Sequence, residues 1–189
     1  AAFCRAHYGG ILTAAGRWGE AEAELMESAR LFERGESVRR DAAIVRLAEL
    51  RLRQGRLEEV AELLNGLGTH PDAVRTLAEL HLLRGETALA RDLLERRTAG
   101  PDDELPDVGE SIMVGPLLSL LVEVHLREES LDEADHVAQR LTVVAQAQRG
   151  PYLKAAAALA RGRVCLATGR SDVRACLQEA MDGFARAQL

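Results

Sequence analysis

Small and apolar residues recur along much of the chain at spacings of three and four, the period expected when a helix buries one face. Two stripes illustrate the pattern: one comprises Trp18, Ala21, Leu25, Ser28 or Ala29, and Phe32, and the other comprises Leu131, Ala134, Ala138, Leu141 and Ala145. A helix with such a stripe must pack it against another element. The pattern therefore predicts helices that each contribute one face to a core.

Similar short segments separate these helices and mark predicted turns. They begin at Gly16, Gly55, Gly85, Glu129 and Gly169, at steps of 39, 30, 44 and 40 residues. Glycine ends a helix in the left-handed conformation without a steric penalty. Because each segment lies between two helical stretches, the sequence predicts five helix-turn-helix hairpins.

The predicted helix boundaries follow from these turns and from residues suited to helix ends. The expected pairs are 3–15 with 18–34, 38–54 with 57–66, 71–84 with 87–98, 111–128 with 131–148, and 151–168 with 171–187. Thr69 and Asp72 have the spacing of a capping box. Pro71 and Pro151 suit the first turn of a helix, where no backbone N–H donor is needed.

Small residues also recur at fixed distances from the turns. Seven residues before each turn stand Gly9, Ala48, Ala78, Val122 and Gly162, and five residues after it stand Ala21, Val60, Ala90, Ala134 and Arg174. Small side chains at these positions let two helices approach closely. The last hairpin departs from the pattern, and a slip of about one residue, to Ala175 and Leu177, would restore it.

Paired helices with small residues at these two positions resemble the tetratricopeptide repeat (TPR), whose usual unit has about 34 residues. The resemblance extends over nearly the whole chain, although the steps vary and the proline that usually closes a unit is mostly missing. It implies an all-α fold, a superhelical array of about five antiparallel helix pairs known as a TPR-like α-solenoid. We expect one such domain over residues 1–189.

Residues 99–110 are expected to be a long connection between two hairpins. They include Pro101, Pro106 and five acidic residues. This composition favours a solvated linker. A lid or a partner-docking loop is the alternative interpretation.

Composition and charge restrict the possible partners. Aromatic residues make up 3% of the chain and strong helix formers dominate, which argues against an all-β fold. A net charge of −6 and a pI near 5.5 do not suit binding to a nucleic-acid backbone. No apolar stretch is long enough to span a bilayer. We expect no direct nucleic-acid contact by this segment and no membrane insertion.

The sequence shows no recognisable catalytic constellation, since nucleotide-binding, nucleophile-elbow and zinc-protease motifs are absent. Cys4, Cys165 and Cys176 lack the spacing of a thiolate zinc site and are expected to be buried, reduced thiols. His81 and His125 each stand four residues before a turn, where a bulky residue is expected between paired helices; a pH-sensitive pair is the alternative. We expect no enzyme activity, no cofactor and no metal.

The candidate binding residues are charged and lie near the position six residues before each turn. In stacked helical hairpins the first helices line a concave groove that binds extended partners. The candidates are Arg46, Glu49, Arg53, Arg75, Glu79, Glu123, Arg127 and Arg163. Glutamate at this position, in a chain whose only lysine is Lys154, argues against a clamp for a partner's terminal carboxylate. Ordinary solvent-exposed ion pairs are the alternative interpretation.

Three stretches carry a second resemblance: CRAHYGGILTAAGRWGEAEAEL from residue 4, RLAELRLRQGRLEEVAELL from residue 46, and the closing residues 154–189, from KAAAALARGRVCLATGR through EAMDGFARAQL. They resemble the repeat region of bacterial LuxR-type transcriptional regulators. The resemblance implies a cytoplasmic regulatory module that receives a signal or partner and governs a helix-turn-helix DNA-binding domain outside this segment. Because the chain does not begin with Met, we expect it to be an excerpt of a longer protein.

The expected partners are a protein, a peptide or a small effector in the groove, and a second copy of the chain is a further possibility. The alternative function is a general protein–protein assembly scaffold with no link to transcription.

Overall fold

A computed structural model describes residues 2–32, 37–99, 108–147 and 150–187. These residues form ten α-helices, and no strand occurs among them, so the prediction of an all-α fold is confirmed. The helices are α1 Ala2–Ala14, α2 Trp18–Phe32, α3 Ser37–Arg53, α4 Leu57–Leu63, α5 Ala73–Leu83, α6 Thr87–Thr98, α7 Val108–Arg127, α8 Leu131–Ala147, α9 Pro151–Thr168 and α10 Val173–Arg186.

The helices form two compact units, Ala1–Arg84 and Gly85–Leu189. In the first unit α1 packs on α2 and α3 packs on α4, while α3 also contacts α1 and α5. In the second unit α7 packs on α8 and α9 packs on α10, while α7 also contacts α6 and α9. First helices of successive hairpins are therefore neighbours within each unit. The predicted third pair is divided, since α5 belongs to the first unit and α6 to the second.

The predicted turns are confirmed by the backbone. Gly16, Gly55, Gly85 and Gly169 all adopt positive φ, between 68° and 77°. Glu129 takes the same conformation with φ of 58°, the only non-glycine residue to do so in the described part of the chain. Each residue directly follows a helix, or follows it by one or two residues, and so ends the helix where the sequence predicted.

Some predicted boundaries are wrong by a few residues. α4 ends at Leu63 rather than at residue 66, because Gly66 adopts positive φ in the following turn. α5 begins at Ala73 rather than at residue 71. The capping box predicted for Thr69 does not form, because the backbone N–H of Asp72 donates to Nδ1 of His70 at 3.3 Å.

The predicted linker 99–110 is shorter than expected. α7 begins at Val108, so residues 108–110 are helical and not part of a linker. Residue 99 ends α6 in an extended conformation, with ψ of 124°. Residues 100–107, which hold most of the predicted segment, lie outside the described residues.

Close helix crossings occur where the sequence predicted small residues. Gly9, Ala48, Ala78, Val122 and Gly162 are all buried. A Cβ atom on Gly9 would lie 2.6 Å from Cγ of Leu25 in α2, and one on Gly162 would lie 2.7 Å from Cδ2 of Leu177 in α10. These distances are too short for real contacts, so only glycine fits these two crossings as they stand.

The second helices bury the predicted stripes with two exceptions. Trp18, the first residue of α2, is 41% exposed and lies outside the core, although Ala21, Leu25, Ser28 and Phe32 of its stripe are buried. In α8, Ala134, Ala138, Leu141 and Ala145 are buried, whereas Leu131 at the helix start is half-buried. Both exceptions are first residues of a helix, where the adjoining turn leaves one side open.

The last hairpin slips by two residues rather than by one. Ala175, the residue predicted to restore the pattern, is exposed, whereas Cys176 and Ala180 are buried. The physical reason is the turn length. α10 begins four residues after Gly169, whereas α2, α4, α6 and α8 begin two residues after their turn markers. Every buried position in α10 is displaced accordingly.

The position four residues before each turn is occupied by side chains of different chemistry. Leu12, Arg51, His125 and Cys165 are buried there, and His81 is half-buried. Arg51 is 6% exposed and pairs with Glu22 at 2.5 Å and with Glu59 at 3.1 Å. The packing predicted for this position is thus present in both units, with an ion-paired arginine in one hairpin.

Candidate functional site

Five of the predicted groove residues lie near one another in the first unit. Arg46, Glu49 and Arg53 belong to α3, and Arg75 and Glu79 belong to α5, which contacts α3. Their spacing of three, four or seven residues places those of each helix on one face. Glu49 interacts electrostatically with the other four. We call these five residues the first charged cluster.

Glu49 is the half-buried centre of this cluster. Burial raises the pKa of its carboxyl above the usual value, and Arg75 and Arg46 act in the opposite direction. A carboxylate withdrawn from water is stabilised by nearby cations and by hydrogen-bond donors. A hydrogen-bond donor on a partner would therefore stabilise the ionised carboxylate of Glu49.

The other members of the cluster are held by local contacts. Nε of Arg75 donates to Oε1 of Glu79 at 2.8 Å, one helical turn away on α5. The guanidinium of Arg46 lies against the backbone of Gly10, because Nη1 is 2.6 Å from the position that a Cβ on Gly10 would take. Glycine at position 10 thus makes room for Arg46 between α1 and α3.

Three further predicted residues meet in the second unit. Oε1 of Glu123 accepts from Nη2 of Arg127 at 2.7 Å on α7, and Oε2 of Glu123 lies 3.5 Å from Nη1 of Arg163 on α9. The carboxylate of Glu123 therefore bridges two arginines from neighbouring first helices. We call these three residues the second charged cluster.

The first cluster contains the Arg75–Glu79 ion pair and the second contains two ion pairs of Glu123, and all three pairs are partly exposed. The side chains of Arg75, Arg127 and Arg163 are 47%, 42% and 48% exposed. Exposed pairs of this kind contribute little to stability, commonly below about 1 kcal/mol each. Carboxylates or hydrogen-bond donors of a partner could therefore replace these ion pairs with little loss of stability.

The second unit also holds a cavity of about 460 Å³ between α6, α7 and α8. Its lining includes Glu95, His125, Asp132, Glu133 and Arg140. His125 is buried, and its Nδ1 atom has no hydrogen-bond partner. A buried ring nitrogen without a partner is costly unless a ligand or water satisfies it. The position of His125 four residues before a turn predicts packing between helices, but no pattern in the sequence indicates this cavity.

Two of the cysteines meet an aspartate at the turn between α9 and α10. One ligand atom each from Cys165, Asp172 and Cys176 lies within 4.8 Å of the other two. Burial is the larger cause, and a hydrogen bond with Asp172 the smaller one, of a rise in the pKa of the Cys165 thiol to about 11. Cys165 and Cys176 are buried as predicted, but Cys4 is exposed on α1, so the expectation that all three are buried is wrong for Cys4.

Sequence spacing missed this group because its members come from two helices and the intervening turn. One signal in the sequence could have indicated the group: Cys165 occupies the position four residues before the turn, which is buried, and Cys176 follows it by eleven residues. Cys176 lies on the buried side of α10 because the last hairpin is displaced by two residues rather than by one.

No protein-family model matches this sequence, and no curated protein matches it either. Among solved structures, the chain is similar to a kinesin light chain-like protein of Podosopora anserina with nearly identical TPR-like repeats, and to a single-substitution variant of it. The TM-score is 0.64 for the variant and 0.63 for the unsubstituted protein. Both are 18% identical to this chain, and each match covers 98% of this chain and 95% of the other. This likeness shows the fold, which is TPR-like.

Among the described residues, no helix is both long and apolar enough to cross a membrane.

Proposed function

We propose that the chain is a non-catalytic interaction module that binds an extended segment of a partner protein or a peptide on the first helices of its hairpins. The observation that carries the proposal is the first charged cluster, where α3 and α5 bring three arginines and two glutamates together. The TPR-like fold supports it, because stacked helical hairpins use this face for extended partners. The second charged cluster is the corresponding contact surface of the second unit.

The charges of the clusters indicate the chemistry of the partner. The first cluster has three arginines against two glutamates and the second has two against one, within a chain of net charge −6. Acidic side chains on a partner would pair with the excess arginines, and its N–H donors would satisfy the glutamates. Charged contacts of this kind contribute to specificity and association rate more than to affinity. We therefore expect binding that weakens as salt concentration rises.

Exchanging the charges of one ion pair tests this surface. In the test variant Arg75→Glu is combined with Glu79→Arg on α5; in the control Glu27→Arg is combined with Arg30→Glu on α2, where the pair is also exposed. Neither double substitution alters the net charge. Peptides selected against the wild-type chain from a random display library are measured against both variants.

We expect the α5 exchange to weaken peptide binding at least about tenfold, which is about 1.4 kcal/mol, and the α2 exchange to leave it unchanged. Equal effects of the two exchanges would contradict the proposed surface. Circular dichroism of both variants checks that the helices are retained.

We infer further that the module belongs to a cytoplasmic, bacterial transcription regulator of the LuxR type. The support is the resemblance of residues 4–25, 46–64 and 154–189 to the repeat region of such regulators. In that role, an occupied surface would alter oligomerisation or the access of a DNA-binding domain elsewhere in the protein. The coding sequence beyond residue 189 tests this inference: a helix-turn-helix pattern there supports it.

The alternative is a general assembly scaffold with no link to transcription. Its distinguishing feature is a coding sequence without a DNA-binding domain. Transcription from a reporter, measured with the complete protein and its α5 charge-exchange variant, separates the two functions. A regulator changes its output when the surface is altered, and a scaffold does not.

A second candidate function is the binding of a small effector in the cavity of the second unit. It is favoured by the buried Nδ1 of His125, which lacks a partner, and by an acidic lining of Glu95, Asp132 and Glu133 around one arginine. A ligand with cationic N–H donors fits this lining. Spermidine is a suitable probe: it should raise the melting temperature of the wild type but not of His125→Leu, the residue type that Leu12 provides at the corresponding position.

A further inference from the structure

The turn between α9 and α10 brings together two thiols and a carboxylate. The Sγ atoms of Cys165 and Cys176 and a carboxylate oxygen of Asp172 all lie within 4.8 Å of one another. Both cysteines are buried and unpaired by disulfides, and Asp172 is exposed. Sulfur and carboxylate oxygen are ligand types found in zinc sites, and here they come together with the two sulfur ligands buried and the carboxylate residue exposed to solvent.

The backbone of the turn holds the three residues in place. The carbonyl oxygen of Cys165 accepts from the backbone N–H of Arg170 at 2.9 Å, after the left-handed Gly169 has ended α9. The carbonyl oxygen of Asp172 accepts from the backbone N–H of Cys176 at 3.1 Å and so begins α10. The two cysteines therefore lie near helix ends that are fixed by hydrogen bonds, and Asp172 is the turn residue directly before α10.

The length of this turn is what creates the group. In the other four hairpins the first buried residue of the second helix is Ala21, Val60, Ala90 or Ala134. The two additional turn residues move Cys176 to that buried place, opposite Cys165. The same two residues include Asp172, the third member of the group. The departure from the repeat pattern and the donor set thus have one structural origin.

The donor types select the ion. Thiolates favour zinc and other thiophilic ions, whereas magnesium and calcium require oxygen ligands. Zinc binds sulfur at about 2.3 Å and carboxylate oxygen at about 2.0–2.2 Å in a tetrahedron, so its ligand atoms lie about 3.3–3.8 Å apart. The three atoms lie within 4.8 Å of one another, so each separation exceeds the zinc spacing by at most about 1.5 Å, which small changes in side-chain torsion can close.

Charge at the site also suits a divalent cation. Two thiolates and one carboxylate carry three negative charges, so a zinc complex retains a single negative charge. Arg170 lies close enough to interact with both Cys165 and Asp172 and would stabilise that complex. Binding releases the two thiol protons to solvent and changes no oxidation state.

We propose that Cys165, Asp172 and Cys176 form a zinc site at the α9–α10 turn, with water as the fourth ligand. The site is independent of the proposed peptide-binding surface, since it shares no residue with either charged cluster. It would fix the last turn and hold α10 against α9.

The test uses the full chain, purified in the presence of a reductant and without a metal-binding tag. The metal-free protein is titrated with cobalt(II), whose tetrahedral thiolate complexes absorb strongly in the visible range and show a sulfur-to-cobalt charge-transfer band. Zinc is then added to displace cobalt, and zinc content is measured by atomic emission. We expect one equivalent of metal, with a tetrahedral cobalt spectrum that zinc abolishes.

The variants are chosen so that the fold survives. Cys176→Ala places alanine where three other hairpins have it, and Cys165→Leu places leucine where the first hairpin has Leu12. Each should weaken metal binding at least about tenfold, as should Asp172→Asn. Cys4→Ser, at the exposed third cysteine, is the matched control and should bind as the wild type does.

Zinc should also raise the melting temperature of the wild type and of Cys4→Ser, but not that of Cys176→Ala. The proposal is overturned if the reduced wild type gives no tetrahedral cobalt spectrum, or if Cys176→Ala binds as tightly as the wild type. Isolation of the chain from cells with Cys165 and Cys176 joined in a disulfide would overturn it as well, because the pair would then serve a redox function.

Discussion

At the scale of single residues, packing requires glycine at some helical positions of this chain and not at others. Gly9 and Gly162 lie at helix crossings that leave no space for a Cβ atom. Gly19 lies in α2, and apart from its chain neighbours and the backbone of its own helix nothing lies within 4 Å of the position that a Cβ would take. The first two are required by packing, whereas the third only lowers the helix propensity of its segment.

Alanine substitution should therefore have opposite effects at these glycines. Gly9→Ala should lower the free energy of unfolding by about 1–3 kcal/mol, because its Cβ would overlap Leu25 in the buried crossing. Gly19→Ala should raise it by up to about 1 kcal/mol through helix propensity. Urea unfolding followed by circular dichroism measures both. If the two variants change stability in the same direction, the α1–α2 crossing is not as close as described.

Arg51 shows that a buried charge can occupy a position that is apolar in another hairpin. Arg51→Leu removes its ion pairs with Glu22 and Glu59 but fills the same space, as Leu12 does in the first hairpin. Because both glutamates keep access to solvent, we expect this variant to unfold within about 1 kcal/mol of the wild type. Arg51→Glu should cost about 3–5 kcal/mol, since it buries a charge beside two like charges. The exposed Arg17→Glu, measured in the same way, is the control and should cost less than about 1 kcal/mol.

At the scale of the elements, the sequence predicts helices well and the ends of turns less well. The periodic burial of small residues locates all ten helices, because a helix of 3.6 residues per turn repeats the same face. It does not locate the first residue after a turn, because Pro71 and Asp72, or Ser171 and Asp172, fit a turn as well as a first helical turn. These ambiguous residues account for the late start of α5 and for the two-residue slip of α10.

The same distinction applies to the candidate site. Residues that recur with the repeat, such as Glu49, Glu79 and Glu123, could be selected from the sequence, because their position relative to a turn fixes the helix face they occupy. The contacts between Glu123 and Arg163, or between Arg46 and Gly10, join different helices and required the structure. Cys165 and Cys176 were missed for the same reason.

Enlarging the small residue of a first helix tests the predicted register. Ala48 in α3 and Ala78 in α5 are fully buried, so Ala48→Leu and Ala78→Leu should each lower the free energy of unfolding by about 1–3 kcal/mol. Ala23→Leu in α2 and Ala99→Leu after α6 place the same side chain at exposed positions and should be nearly neutral. Thermal melts of the four variants decide the matter: a uniform loss of stability would show that the register of the hairpins is wrong.

At the scale of the whole molecule, the net charge does not distinguish carboxyls whose pKa is lowered by the fold from one whose pKa is raised. Glu20, Glu22 and Glu27 are paired with arginines, and hydrogen bonds from those arginines lower the pKa of each carboxyl. Burial instead raises the pKa of the Glu49 carboxyl in the first charged cluster. In these three glutamates the arginine partner thus favours the ionised carboxyl in the fold, whereas burial opposes ionisation of the acid at the centre of the candidate binding surface.

Glutamine variants of Glu22 and Glu49 should therefore show opposite pH dependence. A carboxyl with a lowered folded pKa stabilises the fold above its unfolded value of 4.5, and this contribution disappears as the pH falls. Glu22→Gln should accordingly be less stable than the wild type near neutral pH, by a few tenths to about 1 kcal/mol, and equal to it in acid.

The Glu49 carboxyl has the opposite dependence. A carboxyl with a raised folded pKa contributes its full stabilisation below pH 4.5, its unfolded pKa, and loses it as the pH rises through the folded pKa. Glu49→Gln should thus gain stability relative to the wild type on going from acid to neutral pH. Measuring the free energy of unfolding between about pH 3 and pH 8 compares the pH dependence of the two variants. Parallel profiles would mean that Glu49 is ionised in the fold as easily as Glu22. In that case its carboxyl would gain nothing special from a hydrogen-bond donor on a partner.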